Sequence, residues 1–555
     1  MSNILPPTTA GISPEKFADD LVFARDGRVI AVLLAVFLAF GFALRVHDLG
    51  VESLGEDELN KLQTVEEYRA SGLSGKNGEH PFLMKGLQTV SLTVAEAISP
   101  NISKEAALRF PLALFGTFIT FVIFFLFREF FGRSIGLVAA ALWAVEPIAI
   151  GFDRIAKEDS LAVFFFLLTS FFWARSQTLA ERGVAKWPRY LWAAGAGFAA
   201  FMASKYYPHM LAVLAGYYNT FEKVPGKKWN LGAQRWLILF VVMGVTFLIL
   251  SPTILLPETW SEMLKFSSEK RIGHDAYEYM GELYRNQMTQ WVAGVPWTFY
   301  YVFILVKSSL STLVLFLIGV PLLFRRRLGD GRFFLFFWAF LWFLPFTVLG
   351  GKFTRYFTIV EPLVLLSAAV AFCFGVKWLT SKLSERSAAI VQVICFAVII
   401  ALPLINSFSA TPHFRLFTNY LGGGAAASGS YFPHDEFYDT ASREIAASIA
   451  NRAEQRAVVA SETPALLEYY ARQAGRPDLV FISLSDKAHV AAMKKGDVIA
   501  VVNGRRYFSN TAYQEFLESS ATPLAEVDVA DVNAARIYQL DEATLAGIHK
   551  IANRD

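Results

Sequence analysis

A polytopic α-helical membrane protein with a small α/β domain at its C-terminal end is the architecture this chain predicts. Three observations point there. The 555 residues are 54% hydrophobic and 15% aromatic, with a mean hydropathy of +0.39, well above an ordinary soluble domain. Apolar stretches of the length that crosses a bilayer recur through the first three quarters of the sequence. Beyond Asn406 they give way to short strand-like runs (AVVAS, LVFIS, DVIAVV) that alternate with helix-like segments such as SREIAASIANRAEQR and TPALLEYYARQ.

In chain order, residues 1–28 form a polar cytoplasmic segment and 29–46 a retained signal anchor, because no small-residue cleavage site clearly follows it. Further spans are expected near 110–128, 134–151, 159–175, 190–204, 206–221, 234–253, 308–324, 332–349, 357–376 and 387–406, about eleven in all. Basic connections at 128–133, 175–189, 223–235, 325–332 and 377–386 place those loops in the cytoplasm. Residues 47–109, 152–158, 254–307 and everything after Asn406 then face outward. Within the first outer loop, residues 81–99 are interrupted by Lys85, Gln88, Thr89 and Glu96 and suit a helix lying along the interface. The membrane region therefore runs from 29 to 406 with outer loops 47–109 and 254–307. Residues 407–435 form a linker, flexible by composition at LGGGAAASGS, and 436–555 an extracytoplasmic α/β domain.

A net charge of +3 over such a length makes no electrostatic case for nucleic acid. Cys373 and Cys395 fall within apolar runs, where a small hydrophobe is the ordinary reading and a disulfide is not.

The outer connections carry the chemistry. In GEDELNKLQTVEEYRASG, Asp57 is a carboxylate able to take a proton, although acids in a first turn commonly cap the helix. GEHPFLMK gathers Glu79, His80 and Lys85 around a proline, a set suited to phosphate or metal; a lysine reaching for headgroups is the competing reading. FDRIAKEDS packs Asp153, Arg154, Lys157, Glu158 and Asp159 between two apolar helices, with Asp159 also placed to cap the second. FMASKYYPHM puts Lys205 beside Tyr206, Tyr207 and His209 at the outer boundary, where an aromatic belt is expected anyway. The later outer loop adds His274, Tyr279 and Arg285, with Trp297 and Tyr300 as belt residues. GGKFTRYFTIVEP adds Lys352, Arg355 and Tyr356, basic charge on the side the usual bias disfavours. Acids and bases thus collect on one face from five separate connections, which is the pattern of a site.

With these residues assembled, the chain resembles the C-type (GT-C) glycosyltransferase superfamily, in its protein O-mannosyltransferase and aminoarabinose-transferase branch (families 39 and 83). The resemblance runs over roughly residues 30–370 and rests on Asp57-Glu58, His80-Pro81, RFPLALFG, Asp159-Ser160, Lys205, the GHDAYEYMG to PWTFYY loop and RYFTIVEP. It implies a GT-C fold and an integral membrane hexosyl- or pentosyltransferase of the bacterial inner membrane. The donor would be a polyprenyl-phosphate-linked sugar, and the acceptor hydroxyl that of a glycan, lipid or protein on the extracytoplasmic side. The implied chemistry is inverting displacement. Asp57 is the base, Glu58 orients it, and Asp159 positions donor or acceptor. Lys85, Lys205, Arg355 and Tyr356 hold the donor phosphate, with His80 and Arg154 in support. No cofactor is certain; some relatives bind a divalent metal through a loop glutamate and a histidine, here matched by Glu79 and His274, and two ligands alone make a weak site. EHPFLMK lacks the doubled proline common in this branch and no β-trefoil insertion is present, so protein mannosylation in particular is not implied. The C-terminal domain lies outside the resemblance, and topology alone suggests that it recognises acceptor or covers the cavity. The rival class, a transporter or lipid flippase, predicts midplane charges and inverted repeats. The charges here sit at outer helix ends, and the sequence shows no repeat.

Overall fold

In the computed structural model of the chain, residues 21–222, 226–268, 274–287 and 291–553 are described. Most of the expected N-terminal segment, Lys223 of the third basic connection and residues 271–273 of the later outer loop lie outside them.

The bundle opens with α1 (Gly27–Val46), capped by Asp26, whose side chain accepts from the Arg28 N–H at 2.8 Å. After α1 follow α2 (Glu56–Ser71) and α3 (Phe82–Ile98), the helix expected along the interface. The chain returns through α4 (Lys104–Phe131) and turns at Gly132, whose φ of +97° favours glycine, into α5 (Arg133–Val145). A bend of 64° leads to α6 (Pro147–Asp153). Its cause is local: a residue before proline is driven out of the helical region, and Glu146 sits at ψ 125°. Next, α7 (Asp159–Glu181) and α8 (Trp187–Ser204) pack along one another. Then come α9 (Leu211–Thr220), α10 (Gly232–Leu250), α11 (Pro257–Ser268) and a hairpin of β1 (Tyr277–Tyr279) and β2 (Glu282–Tyr284). The membrane part closes with α12 (Phe299–Lys307), α13 (Leu310–Leu322), α14 (Gly331–Val348), α15 (Glu361–Thr380) and α16 (Glu385–Ala410).

Among the described residues, α1, α4, α10, α14, α15 and α16 are long and apolar enough to cross a membrane, and α5 with α6 makes a seventh if the bent pair is one span. Length and composition of these helices do not confirm eleven spans. The expected span at 206–221 is among those not confirmed: Pro208 begins a 3-10 turn, and the ten residues of α9 that follow reach only about 15 Å. The stretch expected at 308–324 forms the thirteen-residue α13, again short of a full crossing.

The C-terminal domain is the expected α/β unit. Its five strands are β3 (Val458–Ser461), β4 (Val480–Ser483), β5 (Val498–Val502), β6 (Ala525–Val529) and β7 (Val532–Gln539), in the order β4-β3-β5-β7-β6. β4, β3 and β5 run parallel, and β7 and β6 are antiparallel additions. All five residues of β5 are buried, as an uninterrupted VIAVV run in a sheet covered on both faces requires.

One face of that sheet shares a hydrophobic core with the membrane part: Leu59, Leu62 and Val65 of α2 and Leu92 of α3 cluster with Val459, Val498 and Tyr470. The domain is docked. The linker expected to be flexible is accordingly a packed strap. Asn419 donates to the Leu305 and Ser308 carbonyls at 2.7 and 2.8 Å and accepts from the Gly422 N–H at 3.0 Å, and 3-10 turns fill Tyr420–Gly422 and Gly424–Ala427. Its first residues, 407–410, still belong to α16.

Candidate active site

The first turn of α2 carries three consecutive acids, and a helix turns about 100° per residue, so they point in three directions. Glu58 points inward and is fully buried. It accepts from Arg109 Nε at 2.9 Å and Nη2 at 2.6 Å, from the Ala156 N–H at 2.6 Å and from the Gly55 N–H at 2.8 Å. Arg109 also donates to the Leu49, Glu52 and Ser53 carbonyls at 3.3, 2.8 and 2.6 Å. Glu58 therefore fastens the start of α2 to α4 and to the 154–158 link. Glu56 points toward the C-terminal domain, where Arg505 Nη1 lies 3.1 Å away. Asp57 is left facing a recess, with its side chain 40% exposed.

Around that recess, Asp57 is ion-paired with the Lys157 ammonium and stands 3.8 Å from Arg355 Nη2. Asp159, at the start of α7, pairs with Lys205 at the end of α8. Lys205 Nζ lies 5.3 Å from the Tyr356 ring centroid and 5.5 Å from that of Tyr207. The Arg355 guanidinium is 4.4 Å from the Phe353 ring centroid and 5.7 Å from that of Tyr356. Both residues sit on the 3-10 turn Thr354–Ile359, which Trp342 anchors by donating its indole N–H to the Tyr356 carbonyl at 3.0 Å. Four regions far apart in sequence thus bring Asp57, Lys157, Asp159, Lys205, Arg355 and Tyr356 to one recess. Burial alone would raise the Asp57 pKa, but Lys157, Arg355 and Lys61 outweigh it and hold the carboxyl well below the usual range. Burial pushes the Tyr356 phenol up to about 12, so it stays a hydrogen-bond donor.

Other expected site residues lie behind this surface. Lys85 is buried and donates to the Asn77 and Lys76 carbonyls at 2.7 and 3.4 Å, which pins the preceding loop in place. His80 Nδ1 is 3.6 Å from Glu158 Oε1, which pairs with the buried Lys61 at 2.9 Å, and burial holds the His80 imidazole well below its ordinary pKa. Arg154 donates to the Leu44, Arg45, His47 and Asp48 carbonyls at 3.2, 3.1, 2.6 and 3.0 Å, closing the end of α1. Glu79 and His274 have different partners: Glu79 accepts from Asn77 Nδ2 at 2.6 Å, whereas His274 Nε2 lies 3.4 Å from Glu56 and 3.1 Å from Arg505. Among the described residues no three His, Cys, Asp or Glu side chains group to hold a metal.

Sequence reasoning missed the contribution of the C-terminal domain. Asp439 accepts from the Glu56 N–H at 3.0 Å and from Arg505 Nε at 2.8 Å, capping α2 from outside. The Tyr438 ring packs so closely on Gly55 that a Cβ there would lie 2.6 Å from it, which is why the N-cap is glycine. Tyr438 and Asp439 both hold left-handed backbone, with φ of 46° and 61°, a strained arrangement of the kind that clusters at functional sites. The available signal was Arg505 just past the end of β5, because in open α/β sheets the carboxyl ends of parallel strands carry the functional loops.

Residues 80–256 match the family described as dolichyl-phosphate-mannose-protein mannosyltransferase. Among solved structures, ArnT from Cupriavidus metallidurans in the apo state is 14% identical, with 95% of this chain and 99% of that chain covered at a TM-score of 0.50. The same protein bound to undecaprenyl phosphate is 15% identical over 92% and 97% at 0.49. The Archaeoglobus fulgidus oligosaccharyltransferase in the apo form is 12% identical over 85% and 69% at 0.49. At 14% identity the likeness to the apo ArnT structure is one of fold. No curated protein matches the sequence.

Proposed function

We propose that this membrane protein, whose fold is that of the GT-C glycosyltransferases, transfers a sugar from a polyprenyl-phosphate donor to an acceptor hydroxyl at its outer membrane face. One observation carries the reading: an accessible carboxylate, Asp57, shares its recess with Lys157, Lys205 and Arg355, cations contributed by separate parts of the chain. The family matched over residues 80–256, described by a lipid-phosphate sugar donor, supports it.

In this reaction Asp57 takes the proton of the acceptor hydroxyl as its oxygen forms a bond to the anomeric carbon. The bond from that carbon to the phosphate oxygen breaks, its electron pair leaves with polyprenyl phosphate, and the anomeric centre inverts. Lys205 and Arg355 neutralise the charge developing on the phosphate, and the Tyr356 phenol donates a hydrogen bond to it. Asp159 keeps the Lys205 ammonium aimed at the recess. A carboxylate ringed by cations is a weak base. Binding of an anionic phosphate offsets those cations and raises the basicity of Asp57 when it is needed.

The test is transfer of label from a panel of polyprenyl-phosphate sugars by purified protein in lipid, with candidate acceptors. Wild type is expected to transfer label, and Lys205→Met to lose about 10²-fold in kcat/KM for the donor. Movement of intact donor across the bilayer without transfer to any acceptor would instead make the protein a flippase.

A pH profile gives a second check. Because Lys157 lowers the Asp57 pKa, Lys157→Met should move the acid limb of kcat/KM upward, since that limb reports the free protein's base. An unmoved limb in a folded, active variant would mean that another group takes the proton.

A further inference from the structure

We infer that a groove at the end of the bundle opposite the candidate active site binds one anionic phospholipid of the leaflet it faces. The groove holds about 480 Å³ between the first turns of α1 and the last turns of α4, walled by Leu34 and Leu38 of α1 and Phe121 and Phe125 of α4, with Arg128 and Arg133 also lining it. From Gly27 to Leu38, its two limits on α1, the helix rises about 16 Å at 1.5 Å per residue. That is close to half of a hydrocarbon core roughly 30 Å thick, the depth of a single leaflet.

The arginines supply the polar end. Arg133 donates to the Arg25 carbonyl at 3.1 Å, and Arg128 lies 6.0 Å from the Phe124 ring centroid. Among the described residues no salt bridge to a carboxylate engages either guanidinium. The neighbouring Glu129, whose charge also acts on Arg128, accepts from Thr178 and Arg175 at 2.6 and 3.4 Å and so is shared among several partners. Two cations beside an apolar groove one leaflet deep complement a molecule with a phosphate at one end and an acyl chain at the other. A soluble anion would leave the groove unfilled, and a neutral lipid would leave the mutual repulsion of Arg128 and Arg133 offset only by Glu129. The site is separate from the transfer chemistry and does not depend on it.

Native mass spectrometry of the full chain, purified with equal phosphatidylglycerol and phosphatidylethanolamine, tests this. Wild type is expected to retain one phosphatidylglycerol. The double variant Arg128→Ala/Arg133→Ala should lose about thirtyfold in that preference, from two surface cations acting on one anion. Ala35→Trp, which fills the groove and keeps both arginines, should abolish retention. Equal retention of the two lipids, or retention unchanged in both variants, would overturn the inference. So would a photocrosslinker at Leu38 that captures residues 1–20 of the chain instead of lipid, since Glu15, Asp19 and Asp20 could also pair with the arginines.

Discussion

Asp57→Asn is expected to lower kcat by about 10²- to 10⁴-fold, the range over which a positioned general base contributes. The amide keeps the size of the carboxylate and can still contact Lys157 and Arg355, but it cannot accept the acceptor's proton. Donor affinity should move the other way. Asp57 occupies Lys157 by direct ion pairing and draws on Arg355 from 3.8 Å, so removing its charge frees both cations for the phosphate. The expected signature is a collapsed kcat with an unchanged or lower donor KM, read from initial rates with labelled donor. Equal kcat in variant and wild type would remove the base role, and a raised KM at unchanged kcat would make Asp57 a ground-state binding residue.

The residues around that recess were legible in the sequence because charge at a membrane boundary is costly and so stands out: Asp57 and Asp159 belong to charged runs next to apolar spans, and Lys205 and Arg355 stand among aromatic residues at such a boundary. Which of two adjacent acids is the exposed one was not legible from the residues themselves; only the resemblance singled out Asp57. Asp57 and Glu58 look equivalent in the string and differ only through the rotation of α2, which turns one toward the recess and the other onto Arg109. Lys85 shows the same limit from the other side, because a lysine after HP reads as a phosphate ligand until the loop carbonyls that enclose it are seen. The α/β domain was legible from its strand pattern, but its docking was not. That depends on pairs such as Arg505 with Glu56, 449 residues apart, which leave no local signal. A glycine-rich strap likewise reads as flexible by composition and is held in place by contacts from Asn419 to α12 and the residue just after it.

Arg109→Met is the substitution expected to cost the most stability. Both members of the Arg109–Glu58 pair are fully buried, and removing one partner of such a pair leaves an uncompensated charge, at about 3–5 kcal/mol. The loss extends further here, because Arg109 also satisfies three carbonyls in the 49–53 turn. The double variant Arg109→Met/Glu58→Met removes both charges and should be less destabilised than Arg109→Met alone, although the Gly55 and Ala156 amides lose their acceptor. Unfolding midpoints in one detergent, with proteolysis at α2 as a local readout, would show the ordering. A single variant no less stable than the double would mean that the pair is not the clamp, and that α2 is held chiefly by the apolar core it shares with the C-terminal domain. If the ordering holds, activity should follow it, because Asp57 sits on the same helical turn as Glu58 and can keep its place beside Lys157 only while that turn is fixed.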